Sequence, residues 1–160
     1  MKRVFICLSL LAAALFMSAR TSAGNRPITA DRLPRQAQAF LAAHFSDVGI
    51  SYATADRELF ETTYDVALND GTRIEFGRKG EWREIKSPHT PLPRSVVPRA
   101  IAEYVTRNYP KAVIRQLEYE NGEYEVELSN GIKIDFGSGM QLLRSTDYTK
   151  PQPDHRLPML

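Results

Sequence analysis

For chemistry the chain offers three histidines, one cysteine and a crowd of carboxylates. His44 falls in an apolar-periodic segment, His89 in a proline-rich stretch and His155 near the C-terminus. Three such settings do not compose a triad or a two-histidine metal site. Cys7, the one cysteine, lies inside the N-terminal apolar run. No nucleophile elbow, phosphate-binding glycine loop or zinc spacing occurs. Gly77 to Gly80 and Gly137 to Gly139 each separate two strand-like segments, so neither opens a helix whose N-terminus could hold phosphate. Asp65-x-Ala67-x-Asn69 lacks the second Ca²⁺ ligand, and Asp70 stands where an EF-hand loop requires glycine. The residues therefore nominate no catalytic group, no cofactor and no metal site, and the expectation is a protein that is not an enzyme.

The carboxylates are more suggestive. Glu118, Glu120, Glu123, Glu125, Glu127 and Asp135 crowd one region, with Lys133 as the nearby cation. Residues two apart on a strand project to the same side, so Glu123, Glu125 and Glu127 predict a ladder on one sheet face. Such a face suits a basic partner, or weak Ca²⁺ binding through oxygen ligands. The default reading of such a face is solubility alone, since exposed charge is what a solvated sheet face ordinarily carries.

The elements that position these groups are two hairpins, Tyr64 to Phe76 (YDVALNDGTRIEF) and Tyr124 to Phe136 (YEVELSNGIKIDF). In each, apolar residues alternate with polar ones on either side of a turn that ends in Gly71 or Gly131, where glycine reaches φ > 0 without steric cost. Tyr64, Phe76, Trp82, Tyr124 and Phe136 fall in phase with Val and Leu and belong to the core. Tyr52, Phe60 and Tyr119 fall outside that phase; on the open face they would anchor a binding patch.

Lys2 and Arg3 precede an apolar run from Val4 to Met17, and Thr21 to Ala23 supply the small residues of a cleavage site. Residues 1–23 read as a signal peptide cut after Ala23. The run, of about 14 residues, is short against the roughly 20 needed to span a bilayer, so no membrane anchor is expected after cleavage. Lys2, Arg3 and Arg20 leave with the signal, so 18 of the 21 basic residues remain against 19 acidic ones. That balance gives no electrostatic case for nucleic acid. Cys7 leaves too, which excludes an internal disulfide. The expected location is the bacterial periplasm, or outside the cell.

Residues 24–32 read as a flexible lead-in. Leu33 and Pro34 open a helix, since proline suits a first helical position, and Ala37, Phe40, Leu41 and His44 form its apolar stripe. Strands follow to Ile85. Residues 87–96 carry Pro88, Pro91 and Pro93 and read as a linker. Val97 and Pro98 then restart the pattern. Pro34/Pro98, Phe40/Tyr104, Phe45/Tyr109 and Ile50/Ile114 are each 64 apart; Tyr64/Tyr124, Gly71/Gly131 and Phe76/Phe136 are each 60 apart. The step falls where Asp56 to Glu61 is replaced by a tighter Asn121–Gly122 turn. This predicts an α+β fold of two tandem α-β-β-β-β repeats. Each is small for an independent core, so the two are expected to share one curved antiparallel sheet with both helices on one face. Residues 146–160, with three prolines, read as a disordered tail.

The pattern Leu33–Pro34, Phe40 to Phe45, Tyr64-x-Val66-x-Leu68-x-x-Gly71-x-x-Ile74-x-Phe76-x-x-x-Gly80-x-Trp82, repeated from Val97–Pro98 through Asp135–Phe136, resembles the PepSY-like proteins grouped with β-lactamase-inhibitor proteins. The resemblance spans about residues 33–144 and makes 33–86 and 97–145 two PepSY-like repeats. It implies a periplasmic bacterial protein that docks another protein through its open sheet face and hairpin tips, as an inhibitor of a secreted hydrolase would. The partner-binding residues this points to are Asp70, Arg73 and Glu75 in the first unit and Tyr119, Glu123, Glu125, Glu127, Lys133 and Asp135 in the second. A monomer is expected. The alternative is an envelope sensor of Ca²⁺ or a small ligand on the same acidic face.

Overall fold

The alternation of each hairpin becomes cross-strand register. In the computed structural model, which describes residues 26–57 and 61–147, nine strands form one antiparallel sheet in which every strand pairs with its sequence neighbours. They are β1 (Arg26–Ile28), β2 (Ile50–Arg57), β3 (Thr62–Leu68), β4 (Arg73–Phe76), β5 (Trp82–Lys86), β6 (Ile114–Glu120), β7 (Glu123–Leu128), β8 (Ile132–Phe136) and β9 (Leu142–Asp147). Residues 1–23, read as a signal peptide cut after Ala23, and also Phe60 and residues 148–160 lie outside the described residues.

Two helices precede the two halves, α1 (Arg35–His44) and α2 (Arg99–Asn108). Pro34 and Pro98 sit one position earlier than expected, at the N-cap, where their carbonyls accept the first helical hydrogen bonds from Gln38 and Ala102. The stripes Ala37/Leu41 and Ile101/Val105, spaced i, i+4, are buried, as a helix lying on a sheet requires.

One row of side chains crosses the sheet beneath both helices. Ile28, Ala53, Val66, Ile74, Ile85, Leu117, Val126 and Ile134 stand directly opposite one another on eight successive strands, and all but Ile28 are buried. A second row on that face holds the aromatics. Phe40 of α1 meets Phe76 edge-on at 5.8 Å, and Tyr104 of α2 meets Phe136 in the same way at 5.3 Å, a favoured geometry for aromatic pairs.

Three features depart from the sequence reading. Arg26–Ile28, read as lead-in, is a strand paired with β2, so the sheet has nine strands rather than eight. The segment read as a linker is partly built in: Ser87, Leu92 and Val96 are buried, and the Ser87 and Leu92 amides donate to Arg115 and Ile114 carbonyls. Thr146 and Asp147, read as tail, belong to β9.

The halves meet where β5 pairs with β6, through Glu84/Glu118, Ile85/Leu117 and Lys86/Gln116. Register slips at Ser51 and Arg115, and at Arg83 and Leu143, fall at corresponding places in the two halves. Each slip leaves one residue unopposed and turns the strand beyond it.

Candidate functional site

The face away from the helices carries a second continuous row. Asp65, Glu75, Glu84, Glu118, Glu125 and Asp135 stand directly opposite one another on strands β3 to β8, and Arg144 of β9 closes the row beside Asp135. All six carboxylates are half-buried. Like charges directly opposite on neighbouring strands are destabilising, so this row is a cost built into the sheet.

Some of that cost is offset. Lys133 Nζ donates to Glu125 at 2.5 Å and lies 3.8 Å from Glu127. Arg144 reaches Asp135 at 2.6 Å. Arg83, the unopposed residue of β5, pairs with Glu61 and lies 3.9 Å from Glu75. The Gln116 amide donates to Glu84 at 2.6 Å. Asp65 and Glu118 form no ion pair among the described residues.

The protonation equilibria record the imbalance. Burial, then the Glu125, Glu84 and Glu120 carboxylates, push the Glu118 carboxyl above its ordinary range against the pull of Lys133. Burial, then Asp56, push Asp65 up, with Arg73 opposing. Glu75 is raised by burial first and then by Asp65, Glu84 and Glu61, with Arg83 opposing.

Of the residues expected to meet a partner, Glu75, Glu125 and Asp135 lie in this row. Arg73, Glu127 and Lys133 lie in the next row of the same face, which reads Tyr52, Ala67, Arg73, Lys86, Gln116, Glu127, Lys133, Thr146 across the sheet. Glu123 stands opposite Glu120 at the β6–β7 turn. Asp70 sits in the β3–β4 turn, where its Oδ1 accepts the Thr72 amide at 2.9 Å; its first duty is to shape that turn.

Tyr119 requires a correction. It alternates with Leu117 and so lies on the helix side, in ring contact with Trp82 at 6.0 Å and with Tyr124 at 4.5 Å. The slip at Arg115 is the reason, because it lets both Ile114 and Leu117 face the core. Tyr52, by contrast, is on the open face and half exposed. Asp65, Glu84 and Glu118 are the row members missing from the set expected to meet a partner. The repeat offset of 60 maps Asp65 onto Glu125 and Glu75 onto Asp135, a signal sufficient to find Asp65. Glu84 enters the row through its pairing with Glu75, set by the slip at Arg83, and is joined to Glu118 by the β5–β6 pairing.

His44 and His89 sit on separate elements, His44 with Nδ1 2.9 Å from the Ser95 hydroxyl. Among the described residues no group of three or more His, Cys, Asp or Glu side chains converges as a metal site. No helix among them is long and apolar enough to cross a membrane.

A family model described as "Putative beta-lactamase-inhibitor-like, PepSY-like" matches residues 62–144. Three solved structures from Bacteroides are similar over nearly their whole length. A Bacteroides vulgatus protein described as a periplasmic protein of the DUF2874 family is 35% identical, with a TM-score of 0.74 over 78% of this chain and 98% of its own. A Bacteroides thetaiotaomicron protein described as a "putative calcium-regulated periplasmic protein" is 34% identical, with a TM-score of 0.74 over 76% and 96%. A second Bacteroides vulgatus periplasmic protein, of unknown function, is 33% identical, with a TM-score of 0.72 over 78% and 100%. No functionally curated protein matches the chain.

Proposed function

This chain belongs to the PepSY-like family of periplasmic bacterial proteins, and from that premise we propose that it is a non-enzymatic binding module whose open sheet face receives a basic segment of another protein. The observation that carries the reading is the file of six carboxylates in direct opposition from β3 to β8. A solvated face needs charge, but it does not need six like charges aligned, three of them held above their ordinary pKa. A row of cations laid across the strands would relieve that repulsion and gain charge-assisted hydrogen bonds. Inhibition of a secreted hydrolase is one use of such a docking. The matched positions of the four register slips support descent of both halves from one duplicated α-β-β-β-β unit, which would have doubled the length of the face.

Capture from periplasmic extract tests the reading, with the protein and its Glu125→Lys/Glu127→Lys variant as baits. A protein retained by the first and lost from the second is expected. If the wild-type bait retains nothing that the variant loses, the reading fails.

The description of the Bacteroides thetaiotaomicron relative favours a second reading, in which the same face responds to Ca²⁺. Ca²⁺ requires six to eight converging oxygens, whereas these carboxylates stand in file. Calorimetry separates the two: heat and a melting shift at millimolar Ca²⁺ support the sensor, and their absence removes it.

A further inference from the structure

Beside the β3–β4 turn lies an open depression of about 440 Å³, lined on its polar side by Ser51, Tyr52, Arg73, Lys86 and His89 and floored by Ala67 and Leu68. No carboxylate lines it. Arg73 and Lys86 stand directly opposite each other on β4 and β5. Two cations in direct opposition repel; Arg73 is attracted to the Asp65 carboxylate of the neighbouring row, but neither cation is held in an ion pair among the described residues. The second half is built otherwise: Lys133, which corresponds to Arg73, is held by Glu125 and Glu127, and Thr146 stands opposite it.

The turn and the segment that carries His89 are tied together. The turn closes through Gly71 N–H to Leu68 O and Leu68 N–H to Thr72 O. The His89 ring lies so close over Gly71, which has φ +88, that an added Cβ would come within 3.0 Å of it. Ser87, buried, bonds the Thr90 hydroxyl at 2.8 Å and accepts a longer bond from Thr72 at 3.4 Å, which ties the segment carrying His89 to the turn.

We propose that this depression is an anion site for a small ligand bearing a carboxylate or phosphate group. The Arg73 guanidinium would supply a planar pair of N–H donors, the Lys86 ammonium a second charge, and the Tyr52 and Ser51 hydroxyls neutral donors. The aliphatic floor takes the ligand's carbon skeleton. On their other side Arg73 and Lys86 border the acidic row, beside Asp65, Glu75 and Glu84, but the proposal does not rest on that row.

Titration calorimetry with inorganic phosphate and, separately, with succinate tests the site, read alongside the backbone amide shifts of Gly71 and Arg73. A saturable one-site response to either probe is expected. It should weaken at least about tenfold in Arg73→Gln/Lys86→Gln, which removes both charges, and change less than about twofold in Lys79→Gln, an exposed cation of the β4–β5 turn outside the depression. Response to phosphate alone assigns a phosphoryl ligand; response to succinate alone assigns a carboxylate. Should the double variant fail to fold, Lys86→Gln and His89→Ala are titrated singly, each expected to weaken binding several-fold. No saturation with either probe, or equal binding by wild type and the charge-removed variants, overturns the proposal.

Discussion

Replacing Glu118 by Gln should make the protein more stable, and the size of the gain follows from its neighbours. Glu118 stands directly between Glu84 and Glu125. Each directly opposed like pair costs about 0.2–1 kcal/mol. Glu118 is half-buried and Lys133 offsets part of the charge on Glu125, so solvent and partner reduce the sum to about 0.5–1 kcal/mol at neutral pH. Gln keeps the shape and removes the charge. Since 1 kcal/mol moves the melting point of a domain this size by about 3–5 °C, a rise of about 2–4 °C is expected. The pH dependence makes the test specific. Carboxyls whose folded pKa is raised bind more protons in the folded state, so wild-type stability falls as pH rises from the ordinary carboxylate range through the raised values, and grows as pH falls back through them. The two proteins should therefore converge in mild acid, where Glu118 of the wild type is itself protonated, and also in 0.5 M salt, which screens the repulsion. Thermal melts of both proteins between pH 4 and pH 8 measure this. A melting point lowered by the substitution at neutral pH, or a difference that does not vary with pH, would refute the account of the row.

Three further outcomes follow from the same geometry. Binding of a lysine-rich peptide to the open face should release protons in mild acid and weaken as pH falls through the raised carboxyl values, measurable by calorimetry in buffers of different ionisation enthalpy; proton uptake on binding would contradict it. Phe76→Ala and Phe136→Ala each remove a buried ring packed edge-on against a helix and should cost about 3–5 kcal/mol in urea unfolding; because β5 and β6 join the halves, a single transition is expected in both. Gly80→Ala places a Cβ 2.7 Å from the Ala37 amide nitrogen at φ +91, and should cost about 1–3 kcal/mol by strain, with chemical-shift changes centred on the start of α1.

Much of the architecture was legible because it is local. Side-chain direction alternates residue by residue along a strand, so Val66, Ile74, Val126 and Ile134 declare a buried face, and Glu125 and Asp135 the opposite one, in the sequence alone. Glycine at 71 and 131 declared the turns, and the paired prolines at 34 and 98 the helix starts to within one residue. What alternation does not carry is register between strands distant in sequence or the effect of a slipped residue. Ser51 and Arg115 are such slips, and they decide that Tyr52 faces outward and Tyr119 inward.

The sequence by itself thus determined the two hairpins, the two helices and the buried face of each hairpin, since each depends on residues within a turn or two of one another. Tertiary structure alone decided that β1 joins the sheet, that Glu84 meets Glu118 and so completes a file of carboxylates across both halves, and that Arg73 and Lys86 face each other over one depression. The physical reason is that these outcomes depend on backbone hydrogen bonds between separate strands. Their register is a property of the assembled sheet, not of any one segment.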